Sequence, residues 1–251
     1  MTRASLFAAA PIALALALSA CNDGAETAAE PSGEAIANVS APQGQQWRDV
    51  VSATPEGGFV MGNPDAPLKL VEYASVTCSH CAEFAKEADE PLKKDYIDSG
   101  RVSYEIRNFI LTPFDIPITL LTRCSGPDAY FGLTEQNYMN QQEVLAPVMA
   151  MQDSNPQRLQ AAMEQPPERR FLAMGEAMDV IDFFKARGVS EDQARACLSD
   201  IPAIEKLVAI TEDASTNKEV TGTPTFFLNG RKLDGNRWSI VQQELQTAGA
   251  R

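Results

Sequence analysis

The stretch Val71-Glu72-Tyr73-Ala74-Ser75-Val76-Thr77-Cys78-Ser79-His80-Cys81 decides how this chain folds. Its first half ends a run that begins at Pro67 and carries Leu68, Leu70, Val71, Tyr73 and Val76. A short, nearly continuous apolar run of this kind reads as a strand buried on both faces. Dense turn chemistry, Asn63-Pro64-Asp65-Ala66-Pro67, precedes it. The second half opens a helix, with Cys81, Phe84, Ala85, Ala88, Leu92 and Tyr96 at spacings of three and four. Pro91 predicts a kink in that helix, and Ser99-Gly100 ends it. Arg101 to Leu111, with Val102, Tyr104, Ile106, Phe109 and Ile110, predicts a second strand. Strand, helix and strand in succession form a βαβ unit, which requires parallel pairing.

Working outward, Trp47 to Ala53 and Gly58 to Met61 predict short edge strands. From about Thr112 to Lys218 the patterns are helical: 118–124, 135–151, 156–163, 169–186, 192–198 and 202–217. Ser190 with Gln193 predicts a capping box. Six methionines in this block (139, 149, 151, 163, 174 and 178) read as core filler rather than metal ligands. Thr223 to Leu228, Asn229-Gly230 and Arg231 to Leu233 predict a β-hairpin on a favoured two-residue turn. Ser239 to Thr247 closes the chain as a helix. The predicted fold class is α/β: a thioredoxin-like domain over residues 47–251 with a large all-helical insertion at about 112–218.

The chemistry lies at the strand-to-helix junction. Cys78 falls at the predicted helix N-terminus, where unpaired N–H groups and the positive end of the dipole stabilise an anion. A thiolate is the reactive form, so this placement lowers the Cys78 pKa and activates it. Cys81 lies one turn further in, shielded and able to close a disulfide with Cys78; exchange proceeds through a mixed disulfide. His80, the one histidine of the chain, adds positive charge beside the thiolate when protonated. A lower pKa stabilises the dithiol and makes the disulfide more oxidising. Zinc fails on ligand count, because Cys124 and Cys197 stand apart and no second histidine exists. No metal or cofactor is expected.

The chain resembles the bacterial DsbA-like thiol:disulfide oxidoreductases. The motifs that carry the resemblance are the 71–81 stretch above, the helical insert, and Thr221-Gly222-Thr223-Pro224-Thr225-Phe226. It implies that the Thr223–Pro224 bond is cis and faces Cys78, offering backbone hydrogen bonds to an extended substrate. It also implies that Glu72 is a buried acid beneath the site, in proton transfer to Cys81. Two departures stand out: Ser79 where proline is common in the oxidases, and Thr223 where they often carry valine. The first reading is a periplasmic oxidase that donates the Cys78–Cys81 disulfide to unfolded or reduced exported proteins, reoxidised by a membrane quinone-linked partner. The second is an isomerase or reductase. A third, of another class, is a copper-binding lipoprotein or holdase. Of the other cysteines, Cys124 and Cys197 are expected to form a structural disulfide, the alternative being two buried thiols.

The N-terminus carries Arg3, an apolar stretch from about Leu6 to Leu18, and Leu18-Ser19-Ala20-Cys21. The apolar stretch has the proportions of a secretory signal. The last four residues look like a bacterial lipobox, so 1–20 reads as a lipoprotein signal peptide with Cys21 lipidated and in contact with the membrane. Ordinary cleavage after Ala20 is the alternative. Residues 21–46, rich in Ala, Glu, Gly, Ser and Pro, read as a flexible tether. The formal net charge of −13 argues against nucleic acid as a partner.

Overall fold

The computed structural model describes residues 33–251, together with Met1. The predicted signal peptide and Cys21 lie outside the described residues. Two short strands, β1 (Val51–Ala53) and β2 (Phe59–Gly62), lead into β3 (Leu68–Ala74), α1 (Ser79–Pro91) and β4 (Val102–Asn108). After the insertion, β5 (Thr225–Leu228) and β6 (Arg231–Lys232) precede α10 (Trp238–Thr247). The sheet runs β1-β2-β4-β3-β5-β6. β3 and β4 pair in parallel and the other pairings are antiparallel. β2 is therefore an interior strand, not an edge. Asn229 and Gly230 take positive φ at the β5–β6 turn, the conformation that a two-residue hairpin demands.

One face of the sheet buries Leu70, Ile106, Phe226 and Leu228 against Phe84 of α1 and Val241 and Leu245 of α10. Pro91 ends the regular helix, and Leu92–Ile97 continues as a π-helical turn. The missing N–H of proline frees carbonyls in the preceding turn and opens the helix there.

The insertion comprises α2 (Asp115–Arg123), α3 (Pro127–Met139), α4 (Gln141–Ser154), α5 (Pro156–Met163), α6 (Pro167–Ala177), α7 (Val180–Lys185), α8 (Glu191–Leu198) and α9 (Ile201–Asn217). It has its own core around Ile118, Leu121, Met174, Met178, Phe184, Leu198 and Leu207. Two predicted long helices are broken. The 135–151 pattern is interrupted at Asn140, and the 169–186 pattern at Asp179, whose φ is +55°. Apolar spacing runs on through both breaks, which is why periodicity missed them. Met151, Met174 and Met178 fill the core, whereas Met139, Met149 and Met163 are exposed, so the core-filler reading holds for half of the six. Ser190 caps α8 by accepting from Gln193 N, but the Gln193 side chain turns instead to Cys124 O and Ser125 Oγ. Arg123 docks the insertion on the sheet: it donates to Asn108 Oδ1 and Gly57 O and stacks over the Phe59 ring.

The described half of the expected tether is not free. Gly33 N donates to Thr247 O, Ile36 N to Gly249 O and Val39 N to Ser99 O. Ile36 and Ala41 pack on the sheet-domain core, and Trp47 Nε1 donates to Val39 O. Composition undercounted this segment because backbone hydrogen bonds to a folded surface hold it, and few apolar side chains are needed for that.

Candidate active site

β3 ends at Ala74, and the turn Ser75–Cys78 delivers the chain into α1. Cys78 is the N-cap of α1, with extended φ and ψ and no side chain capping the helix. Its sulfur thus sits where a capping oxygen would, facing the free N–H groups of the first turn. Cys78 is partly exposed, Cys81 is fully buried, and both are thiols in this structure.

The two sulfurs have opposite electrostatics. Cys78 is lowered to about 5, first by a hydrogen bond from the Cys81 thiol, with burial opposing. The Thr223 side chain and the backbone N–H groups of Cys81 and His80 lower it further. Burial pushes Cys81 well above the ordinary thiol range, and the charges of Glu72 and Cys78 add to this. As a thiol, Cys78 donates to Thr223 O at 3.3 Å. The Thr223–Pro224 peptide is cis, and the buried Thr223 hydroxyl makes no hydrogen bond of its own.

The His80 imidazole is shared between two charges, the Glu83 carboxylate and the Cys78 sulfur. It is exposed, and its Nδ1 pairs with Glu83 Oε2 at 3.0 Å. That carboxylate, more than Cys78, holds the His80 pKa up. His80 also contributes its backbone N–H to the Cys78 thiolate, as named above. Glu72 lies in β3, 2% exposed, hydrogen-bonded by the Tyr104 hydroxyl. Burial pushes its pKa up to about 8, the Tyr104 bond lowers it, and the Cys78 charge raises it again. A small cavity of about 40 Å³ is lined by Glu72, Tyr104, Thr134 and Lys93, among others.

Cys124 and Cys197 are disulfide-bonded within the insertion. Among the described residues, no group of three or more His, Cys, Asp or Glu comes together as a metal site. Also among them, no helix is long and apolar enough to cross a membrane. Sequence reasoning missed the second tier around the Cys78 turn: Tyr104 on β4, Asp115 on α2, Asn137 and Tyr138 on α3, and Gln141 on α4. A polar residue inside an apolar helical pattern was the available signal for Asn137 and Gln141, but nothing in the pattern pointed to their partners, and Asp115 lies before the first pattern, at 118–124.

Residues 54–246 match the thioredoxin family. The chain belongs to that family. The solved protein-disulfide isomerase of Novosphingobium aromaticivorans superposes with a TM-score of 0.70 at 30% identity, covering 75% of this chain and 95% of that one. Wolbachia pipientis alpha-DsbA1 shares the fold, with a TM-score of 0.56 at 20% identity over 76% of this chain and 91% of that one. A Rickettsia bellii protein that bears the name "Putative protein-disulfide oxidoreductase" is 31% identical over 194 residues, or 77% of this chain. The chain spans 65% of that relative's length. In this thioredoxin-family protein, then, the cis-proline turn meets Cys78 and the charge of the buried acid acts on Cys81.

Proposed function

We propose that the protein is a thiol:disulfide oxidoreductase acting as an oxidase, donating the Cys78–Cys81 disulfide to reduced exported proteins. The observation that carries this reading is the opposition of the two sulfurs: Cys78 partly exposed and lowered to about 5, Cys81 buried and raised. A substrate thiolate attacks Cys78 Sγ of the disulfide, the S–S bond breaks, and Cys81 leaves. Cys81 cannot remain a thiolate where it is buried, so it takes a proton. Glu72, protonated up to about pH 8, is the nearby donor. A second substrate thiolate then attacks the substrate sulfur of the mixed disulfide, and Cys78 leaves as its stabilised thiolate. The substrate loses two electrons and two protons to become a disulfide; the Cys78/Cys81 pair gains the electrons. Because the low pKa favours the dithiol, it makes the disulfide a strong oxidant. The Thr223 carbonyl beside Cys78 is placed to pair with the backbone of an extended substrate segment.

The proposed setting is the periplasm, with Cys21 as a lipid attachment and a membrane quinone-linked partner that restores the disulfide. From Cys21 to Gly33, the first described residue held on the domain, a chain of this length can span at most about 40 Å. Isomerisation is the second reading, favoured by the name of the Novosphingobium structure and by Thr223 before the cis-proline. The test is oxidative refolding of a reduced protein, together with the reduction potential of the pair. We expect Cys78→Ser to reduce refolding to the buffer rate, and the potential to lie at or above that of the glutathione pool. A potential as low as thioredoxin's, about −270 mV, would overturn the oxidase in favour of a reductase. Rescue of scrambled disulfides faster than oxidation of reduced ones would favour the isomerase.

A further inference from the structure

The backbone of the Ser75–Cys78 turn is bound largely by the helical insertion. Tyr138 Oη donates to Ser75 O at 3.2 Å. Asn137 Nδ2 donates to Val76 O at 2.9 Å, and Gln141 Nε2 donates to both Val76 O and Cys78 O at 3.0 Å. From the other side, Asp115 Oδ1 accepts from Ser75 Oγ at 2.5 Å, Thr77 N at 3.2 Å and Thr77 Oγ1 at 3.1 Å. Asp115 Oδ2 accepts from Leu111 N, Thr112 N and Thr112 Oγ1. Asp115 is fully buried and Gln141 is 9% exposed.

These contacts come at a cost. Asn137 Oδ1 is buried without a partner, and a buried polar atom left unpaired is unfavourable. Turning the amide over would set Oδ1 against the Val76 carbonyl, acceptor against acceptor, so the side chain is held to its present orientation. The break at Asn140 serves the same end, because it starts α4 at Gln141 and brings that amide to the turn. The buried carboxylate of Asp115 is likewise committed to two loops, 75–77 and 111–112, and to nothing else among the described residues.

We propose that the insertion is part of the redox device: Asp115 and Gln141 are positioning residues that lock the Ser75–Cys78 turn, so that the first-turn N–H groups of α1 aim at Cys78 Sγ. The idea rests on the functional reading above only in taking Cys78 as the sulfur that exchanges with substrate. A thiolate at an N-cap gains from those donors only while the turn fixes their direction, and fixed dipoles need no rearrangement when charge forms or leaves. Loosening the turn would therefore act on Cys78 without removing any group hydrogen-bonded to its sulfur.

The test uses Gln141→Leu and Thr77→Val in the full chain, with Leu159→Ala in the insertion core as a control for stability loss alone. Thr77→Val loosens the Asp115 arm while keeping its charge, which would itself act on the thiolate if removed. Cys78 is titrated by thiolate absorbance in the reduced protein, and the disulfide is equilibrated with glutathione. Gln141→Leu is expected to raise the Cys78 pKa by about one unit and to make the disulfide roughly tenfold less oxidising. Thr77→Val should shift both the same way by less, and it keeps the proposal falsifiable should Gln141→Leu not fold. Leu159→Ala should lower stability and leave both readings at wild type. Variants that titrate as wild type beside a low wild-type Cys78 overturn this proposal alone. A wild-type Cys78 that titrates as an ordinary thiol overturns it together with the functional reading.

Discussion

The two cysteine pairs of this protein occupy opposite ends of helices, and that difference separates a reactive pair from an inert one. Cys78 is the N-cap of α1, at the positive end of the helix dipole. Cys124 is the C-cap of α2, and Cys197 lies in the last turn of α8, which ends at Leu198. Both therefore sit at negative ends, where a thiolate is disfavoured and a disulfide is a poor source of leaving groups. The first pair is three residues apart within one turn. The second closes a separation of 73 residues across the insertion core. Spacing in sequence and position on a helix together assign exchange chemistry to one pair and cross-linking to the other.

The largest effect should come from breaking the cross-link. Replacing Cys124 and Cys197 together with alanine is expected to cost about 4 kcal/mol by the loop-entropy model, read as a lower urea midpoint. If the division of labour is right, the potential of Cys78/Cys81 stays at wild type in the same variant. A shift in potential as large as the shift in stability would show the pairs to be coupled.

The reactive side of this comparison was legible in the sequence, because its parts are local. A strand turning into a helix at Cys78, the partner one turn on, and Asn229-Gly230 in a hairpin each follow from a few adjacent residues. What supports the site was not legible. Gln141 and Asp115 meet the turn from 63 and 38 residues away; a glutamine in a helical pattern reads as solvent-facing until the fold buries it, and Asp115 falls in the stretch before the first pattern. Tyr104 was seen as one apolar residue of a strand, yet its hydroxyl is what bonds Glu72. The pairing of the His80 imidazole with Glu83, three residues on, was not read either, although both residues are local. Breaks at Asn140 and Asp179 were invisible because the apolar stripe that periodicity detects continues across them.

The next effect sharpens the contrast through pH. Glu72 is raised from 4.5 to about 8, so the folded protein holds a proton that the unfolded chain gives up above about pH 4.5. Its contribution to stability is present below that value and is lost as pH rises to about 8. Glu72→Gln removes the titration. At pH 8 it should therefore stabilise the protein by on the order of 4 kcal/mol, with the difference vanishing near pH 4. Urea unfolding at the two pH values checks this, and a pH-independent difference would contradict it. The same variant should slow release of the Cys81 sulfur, since a neutral amide cannot supply the proton. Among the described residues, the polar groups within hydrogen-bonding reach of the Cys124 and Cys197 sulfurs are backbone carbonyls, so stability changes caused by breaking the pair should not vary over this range.

The smallest effect isolates a single hydrogen bond. The Thr223 hydroxyl is buried, has no partner in the dithiol structure, and lowers the Cys78 pKa when the thiolate forms. Thr223→Val keeps the shape and removes only that donor. We expect the Cys78 pKa to rise by about one unit, which destabilises the dithiol by about 1.4 kcal/mol and lowers the potential by about 30 mV. The oxidised form should lose nothing, because an unpaired buried hydroxyl stabilises nothing, and exchanging it for a methyl group is neutral or favourable. The informative result is thus a pair of numbers: a lower potential with the stability of the disulfide form unchanged or raised. Loss of stability in both redox forms would mean that the hydroxyl is bonded elsewhere and that the low pKa of Cys78 comes from Cys81 and the first turn of α1 alone.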